Sequence, residues 1–236
     1  MNNDDFISSL KELGIDVTDE KLNKLKIYFE YLIEYNEHTN LTAITEKEDV
    51  YLKHFYDSLT LVKAYDLTRD IKMLDVGTGA GFPGIVIKIF FPNIDLTVLD
   101  SNNKKTTFIS SLIQKLGIDV EVINARSEDY ARNHLNEFDI VTSRAVAFID
   151  IITSIALPFV KEDGRLILMK GSFDNEEKIL KNHLNELNVK EYQIINFNLP
   201  VTDDERNLVV ISKYMASTGV MQFNQIIKRN KIWSNK

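Results

Sequence analysis

The residues with the clearest chemical meaning lie between Ile71 and Gly84, in the run Ile-Lys-Met-Leu-Asp-Val-Gly-Thr-Gly-Ala-Gly-Phe-Pro-Gly. An apolar stretch breaks into glycines at 77, 79, 81 and 84. This pattern predicts a buried strand over 71–76, a tight loop over 77–83 and a helix over 84–91. Loop glycines take positive φ and have no Cβ, so a ligand can lie against the backbone. The following helix aims free N–H groups and the positive end of its dipole at the same place. Asp75 stands at the strand's carboxyl end, and its carboxylate suits a cationic or amine-bearing ligand better than a pyrophosphate. Asp100 closes the next apolar run, Leu96-Thr-Val-Leu-Asp100, where an acidic residue can hold ribose hydroxyls.

Two ligand classes use such a turn. Gly79-Ala-Gly-Phe-Pro-Gly84 matches G-x-G-x-x-G, the dinucleotide fingerprint. Asp75-Val-Gly-Thr-Gly79 matches D-x-G-x-G, which resembles the first motif of S-adenosylmethionine (SAM) methyltransferases, whose loop wraps the methionine part of the cofactor. Asp100 serves either class, whereas Asp75 favours SAM. A βαβ turn without a ligand is the plain alternative, but closely spaced glycines cost stability without a reason.

The elements that must position these residues follow from periodicity. Phe6, Ile7, Leu10 and Leu13 predict a helix over 4–13, stopped by Gly14. Thr18 is the expected N-cap of a second helix with the stripe Leu22, Leu25, Phe29, Leu32 and Ile33. The polar stretch over 36–42 reads as a loop. A third helix is expected over 47–66, with His54 and Asp57 three apart on one face. For that pair, local hydrogen bonding or helix packing is the preferred reading over a direct ligand role. Residues 1–66 thus form an N-terminal helical subdomain, appended to an α/β domain over 67–213, with a tail over 214–236.

Strands are expected over 95–100, 119–124, 138–142 and 165–170, alternating with helices over 103–116, 148–158 and 174–187. The last two strand-like runs, 189–198 and 206–213, are separated by too little chain for a helix and read as an antiparallel pair. The fold class is therefore α/β: a Rossmann-like, mostly parallel seven-stranded sheet with an antiparallel C-terminal strand. SAM methyltransferase sheets end in this way, and two βαβαβ dinucleotide halves do not. Ligands of such sheets sit at the strands' carboxyl ends. Those ends gather Asp75 to Phe82, Asp100, Arg126 to Asp129, Ser143-Arg144 and Lys170-Gly171. Ser127 and Glu128 fall where SAM enzymes often touch the adenine, or else cap a short helix. Arg144 needs a partner in a crevice; a cofactor carboxylate, a phosphate, Asp75 or a structural ion pair would each serve.

Composition narrows the chemistry. The 236 residues carry a net charge of −7. Residues 1–70 hold 15 acidic against 8 basic side chains, and the rest of the chain balances. Composition does not announce a nucleic-acid partner, although a local basic patch would suffice. There is no cysteine, which removes disulfides, thiolate metal sites and covalent attack on a pyrimidine ring. The N-terminus lacks a signal-peptide pattern and no apolar run reaches about 18 residues, so a cytoplasmic protein with no membrane partner is expected. No metal site is expected either, and a monomer is. The four prolines are isolated, so the Asn-Pro-Pro-Tyr turn of amino-methylating enzymes is missing. What remains are acceptors already nucleophilic when bound. Guanine N7 is one; it carries no proton at neutral pH, so no catalytic general base is assigned.

Six stretches occur together in a recognisable order: Asp75-Val-Gly-Thr-Gly-Ala-Gly-Phe-Pro-Gly84, Leu99-Asp-Ser101, Arg126-Ser-Glu128, Ser143-Arg-Ala-Val-Ala147, Leu168-Met-Lys-Gly171 and Arg206-Asn-Leu-Val-Val-Ile211. Asn40-Leu-Thr42, and His54 with Asp57-Ser58, precede them. Over about residues 5–213 this resembles the GidB (RsmG) family of bacterial small-subunit rRNA guanine-N7 methyltransferases. The resemblance implies SAM-dependent methylation of N7 of one guanine in the 530 loop of 16S rRNA, position 527 by convention. It places cofactor contacts on Gly77, Phe82, Ser127, Glu128 and Arg144, beside Asp75, Gly79 and Asp100 from the motif. Strand-end placement adds Arg126, Lys170 and Arg206 as candidate RNA contacts. The chain departs from the family in two places. Lys104-Lys105 stands where Lys-Arg is frequent, and the tail after Pro200 lacks the proline-rich basic ending of many Gram-positive members. A SAM methyltransferase acting on a small molecule or protein, a dinucleotide-binding domain and a non-catalytic SAM-binding module are the rival readings.

Overall fold

The computed structural model describes residues 1–214; the tail motifs after Tyr214 lie outside the described residues. The apolar runs become the strands of one sheet: β1 (Lys72–Val76), β2 (Asp95–Asp100), β3 (Glu121–Asn124), β4 (Phe138–Arg144), β5 (Val160–Lys170), β6 (Val189–Asn198) and β7 (Glu205–Lys213). Their order is β3-β2-β1-β4-β5-β7-β6. The first five pair in parallel. β7 runs antiparallel to both β5 and β6, because the link over 199–204 is far too short for a crossover. From β1 the chain winds outward through β2 and β3, then returns to place β4 on the other side. The carboxyl ends of β1 and β4 therefore flank the switch in strand order, where open α/β sheets bind ligands.

Five helices lie in the α/β part. They are α5 (Gly84–Phe90), α6 (Asn103–Leu116), α7 (Ser127–Tyr130), α8 (Ile149–Ala156) and α9 (Asp174–Asn182). Before them come α1 (Asn3–Glu12), α2 (Asp19–Thr39), α3 (Lys47–Val50) and α4 (Asp57–Leu59). Asn2 and Thr18 cap α1 and α2 with their side chains. The expected loop from residue 36 is helical as far as Thr39. Tyr35 packs on Phe108 of α6, and Asn40 ends the helix in the left-handed region that asparagine tolerates. The expected single helix over 47–66 is a composite. A π-helical turn (Tyr51–Tyr56) separates α3 from α4, and a 3-10 turn (Thr60–Lys63) ends it. The wide turn buries Tyr51, Leu52, Phe55 and Tyr56; π turns are frequent at functional sites.

β5 begins at Val160 and not at 165. The charged run Lys161-Glu-Asp163 hides the first half of the strand from pattern reading. Gly164 lets it pass close to β4, for a Cβ there would lie 2.7 Å from the carbonyl oxygen of Asp139. α9 stops at Asn182, short of the expected 187.

One hydrophobic cluster joins the helical segment to the sheet. Phe6, Leu25, Tyr28, Leu32 and Phe55 pack with Phe82, Ile85, Phe108 and Leu112 on one sheet face. Ile149, Ile152, Phe159 and Leu180 cover the other. The first 66 residues are thus one wall of the core around the glycine loop.

Candidate functional site

The loop after β1 is held by β2. The amides of Gly77 and Thr78 both donate to the carbonyl of Leu99 (2.7 and 3.3 Å), and the Gly79 amide donates to Asp100 Oδ2 (3.0 Å). Gly77 (φ +70°) and Gly79 (φ +62°) sit in the left-handed region, which explains glycine at both. Their surroundings differ. Among the described residues nothing lies within 4 Å of where a Cβ on Gly79 would be, so the loop is open there. A Cβ on Gly77 would come 2.5 Å from Cγ2 of Val146. A side chain at 77 would therefore collide with the chain after β4.

Asp75 is fully buried. Its Oδ2 accepts from Thr78 Oγ1 (2.7 Å) and from the Gly84 amide at the start of α5 (2.9 Å). Its Oδ1 is buried with no hydrogen-bond partner among the described residues. Burial pushes the carboxyl up to about 6, against the lowering effect of those two bonds and of Arg144. A buried acceptor without a donor is costly, and a cationic or N–H-bearing ligand group would satisfy it. Asp100 accepts from the Asn102 amide through Oδ1 and from Gly79 through Oδ2. An open glycine cradle between an orphaned buried carboxylate oxygen and a second carboxylate fits a cofactor with a cationic part and a ribose.

Arg144 ends β4, and its partner is not Asp75. Nη1 donates to Asp57 Oδ2 and to the Lys53 carbonyl, both at 3.1 Å, and Nη2 meets His54 Nδ1 at 3.1 Å. The guanidinium lies 5.1 Å from the ring centre of Phe82. That ring is itself buried between His54 (4.4 Å) and Tyr28 (5.3 Å). The Tyr28 hydroxyl donates to the carbonyl of Ala80, inside the loop.

Residues 21–209 match the family model described as GidB, rRNA small subunit methyltransferase G. The chain belongs to the GidB family. It is 42% identical over 218 residues to the ribosomal RNA small subunit methyltransferase G of Streptococcus thermophilus (strain CNRZ 1066), covering 90% of this chain and 92% of that protein. Identity to the Bacillus cereus (strain B4264) protein of the same name is 43% over 217 residues, covering 90% and 91%. Solved structures share the fold. A ribosomal protein L11 methylase from Lactobacillus delbrueckii subsp. bulgaricus superposes with a TM-score of 0.52 at 17% identity, over 69% of this chain and 79% of that one. A SAM-dependent methyltransferase from Aquifex aeolicus gives 0.50 at 16% identity, over 70% and 93%.

The GidB match begins within α2 and so includes the segment that supplies Tyr28, His54 and Asp57. The remaining GidB-like positions are placed as follows. Ser127 and Glu128 open α7 half-buried; neither side chain caps the helix or has a hydrogen bond or ion pair among the described residues. Arg126 is exposed and unpaired among the described residues. Lys170 is tied to Glu176 Oε2 (2.8 Å) and to the carbonyl of Ala147 (2.7 Å), so it braces the loop after β4. Arg206 Nε donates to Asp57 Oδ1 (3.1 Å). The structure therefore brings Arg144 and Arg206 together on one carboxylate and leaves Arg126 apart on the β3 side. Sequence reasoning missed Tyr28 as a support of the loop, because its partner Ala80 lies 52 residues away. His54 and Asp57 were visible through their spacing, but their partner 87 to 90 residues away was not. Among the described residues no group of three or more His, Cys, Asp or Glu could hold a metal ion, and no helix is long and apolar enough to cross a membrane.

Proposed function

We propose that this GidB-family protein methylates N7 of a guanine in small-subunit rRNA, at position 527 of the 530 loop, with SAM as the methyl donor. When bound, SAM supplies a methyl group on a sulfonium. The observation that carries the reading is the glycine cradle with its orphaned Asp75 oxygen, in a chain whose relatives over nine-tenths of its length are named as rRNA methyltransferases. Asp75, Gly77, Gly79, Phe82, Asp100, Ser127, Glu128 and Arg144 form the cofactor site, and Arg126, Lys170 and Arg206 are the candidate RNA contacts. Guanine N7 needs no proton removed, so the chain's task is to align nucleophile, methyl and leaving sulfur. Holding reactants in a near-attack geometry can supply about 7–11 kcal/mol of the barrier. His54 suits no base role, since burial and the Arg144 charge hold its pKa down to about 3 and Arg144 occupies Nδ1. The enzyme works in the cytoplasm as a monomer.

Incubating the protein with labelled SAM and small subunits lacking the mark should label one guanine in the 530 loop. Labelling of another RNA position, of protein or of nothing would overturn the assignment. Calorimetry with SAM and with NAD should show binding of SAM alone.

A further inference from the structure

Three residues noted in the sequence without an assigned task gather beside Arg144: Asp57 binds both Arg144 and Arg206, His54 meets Arg144, and Thr42 holds His54. Asp57 opens α4 with its side chain 6% exposed, and each carboxylate oxygen takes one guanidinium at 3.1 Å. Arg144 arrives from the carboxyl end of β4. Arg206 arrives from the start of β7, next to Asn207, which pairs with Lys170 at the end of β5. One carboxylate from the helical segment thus gathers two separate edges of the crevice.

The tautomer of His54 follows from its neighbours. A guanidinium only donates, so Nδ1 must accept from Arg144 Nη2. The neutral ring then carries its proton on Nε2, which donates to Thr42 Oγ1 (2.9 Å). That oxygen also accepts from the Ile44 amide (3.1 Å), which leaves the ring no freedom to flip. The Arg144 plane is fixed at Asp57, at the Lys53 carbonyl and at His54.

Two features distinguish this cluster from a plain structural ion pair. First, the one carboxylate within ion-pair reach among the described residues, Asp57, is shared by two guanidiniums that are only 13% and 21% exposed, so two cations are gathered at one point of the crevice. Second, Arg144 spends three of its five N–H groups on the cluster and keeps two, those on Nε and the second on Nη2. We propose that Asp57 is a positioning residue for methyl transfer: it locks the Arg144 guanidinium, with His54 fixing the same plane, so that the spare N–H groups are held for the anionic parts of cofactor and RNA. This deepens the function proposed above and rests on it.

The test is Asp57→Asn, which keeps size and one acceptor oxygen but removes the charge. Thermal unfolding, SAM calorimetry and steady-state methyl transfer to unmodified small subunits are measured together. The expected result is a cooperatively folded protein with roughly ten- to a hundred-fold loss in SAM affinity or in kcat/KM, the loss typical of a broken charge-assisted hydrogen bond. A folded variant with wild-type values for both would overturn the proposal. Should the variant not fold, the pair His54→Asn and His54→Leu decides. Asparagine keeps an acceptor where Nδ1 stood and should stay within a few-fold of wild type, while leucine should lose about ten-fold; equal values for the two would overturn it. A wild-type protein that binds SAM but labels no rRNA would instead remove the assigned substrate, and the affinity comparison would still judge Asp57.

Discussion

Asp75 shows how one side chain can cost stability and serve binding. Its carboxyl is raised to about 6 chiefly by burial, so the folded state holds the proton more tightly than the unfolded chain. The native state then gains from Asp75 below about pH 4 and loses that gain as pH climbs through about 6, a change of roughly 3 kcal/mol. Asp75→Asn removes this slope. The gap in denaturant midpoint between variant and wild type should widen in the variant's favour from pH 4 to 6.5, while its SAM affinity falls. SAM binding by the wild type should weaken as pH drops below about 6, because a cationic ligand favours the ionised carboxylate; calorimetry at pH 5 and 7.5 measures this. Gly77 offers a second test. Gly77→Ala forces a Cβ onto Val146 in a left-handed backbone, and a loss of about 1–3 kcal/mol is expected. Adding Val146→Ala should restore the steric part and leave the backbone part, so denaturation of the double variant should give an intermediate value.

At the scale of elements, α2 acts as a brace for the cofactor loop. The Tyr28 hydroxyl holds the Ala80 carbonyl and its ring stacks on Phe82. Tyr28→Phe keeps the stack and orphans the buried carbonyl, at a cost of about 1 kcal/mol, or roughly 2–4 °C in Tm for a chain of this size. Weaker SAM binding should accompany it, since the loop's shape depends on that bond; unchanged affinity would reduce Tyr28 to a core residue. Removing residues 1–66 should leave no cooperatively folding remainder, because Phe82, Ile85 and Phe108 would lose their cover. A truncated chain with a sharp thermal transition would show otherwise. The π turn belongs to this scale too: it lets a short helical segment bury four large side chains and still present His54 and Asp57 to the end of β4.

For the whole molecule the relevant quantity is charge. The net −7 is carried by the first 70 residues, while the α/β part is balanced. Two of the three candidate RNA cations are already ion-paired. Such a surface should release few counterions. Binding to rRNA should therefore show a shallow salt dependence, with a slope of log affinity against log salt of about −2 to −3, not the steep slope of a basic patch. Filter binding across a salt series measures it, and Arg126→Ala should flatten it further by about 0.7.

The succession of strands along the chain, the glycine loop with its two acids and the reversal at β7 were all legible in the sequence. They depend on short-range facts: apolar runs, glycines where a backbone must bend sharply, and a link too short to cross over. Several boundaries were not legible. The start of β5 is disguised by Lys161-Glu-Asp163, and the π turn leaves no local signature because the packing of Tyr51 and Phe55 against distant rings decides it. Only the tertiary structure could assign Arg144 to Asp57 in place of Asp75, tie Lys170 to the loop after β4 and bring Tyr28 to Ala80. Each of those contacts joins residues 23 to 87 positions apart, and long-range hydrogen bonds have no period along the chain. The sequence determined which backbone could cradle a cofactor; the folded core decided which charges meet at its rim.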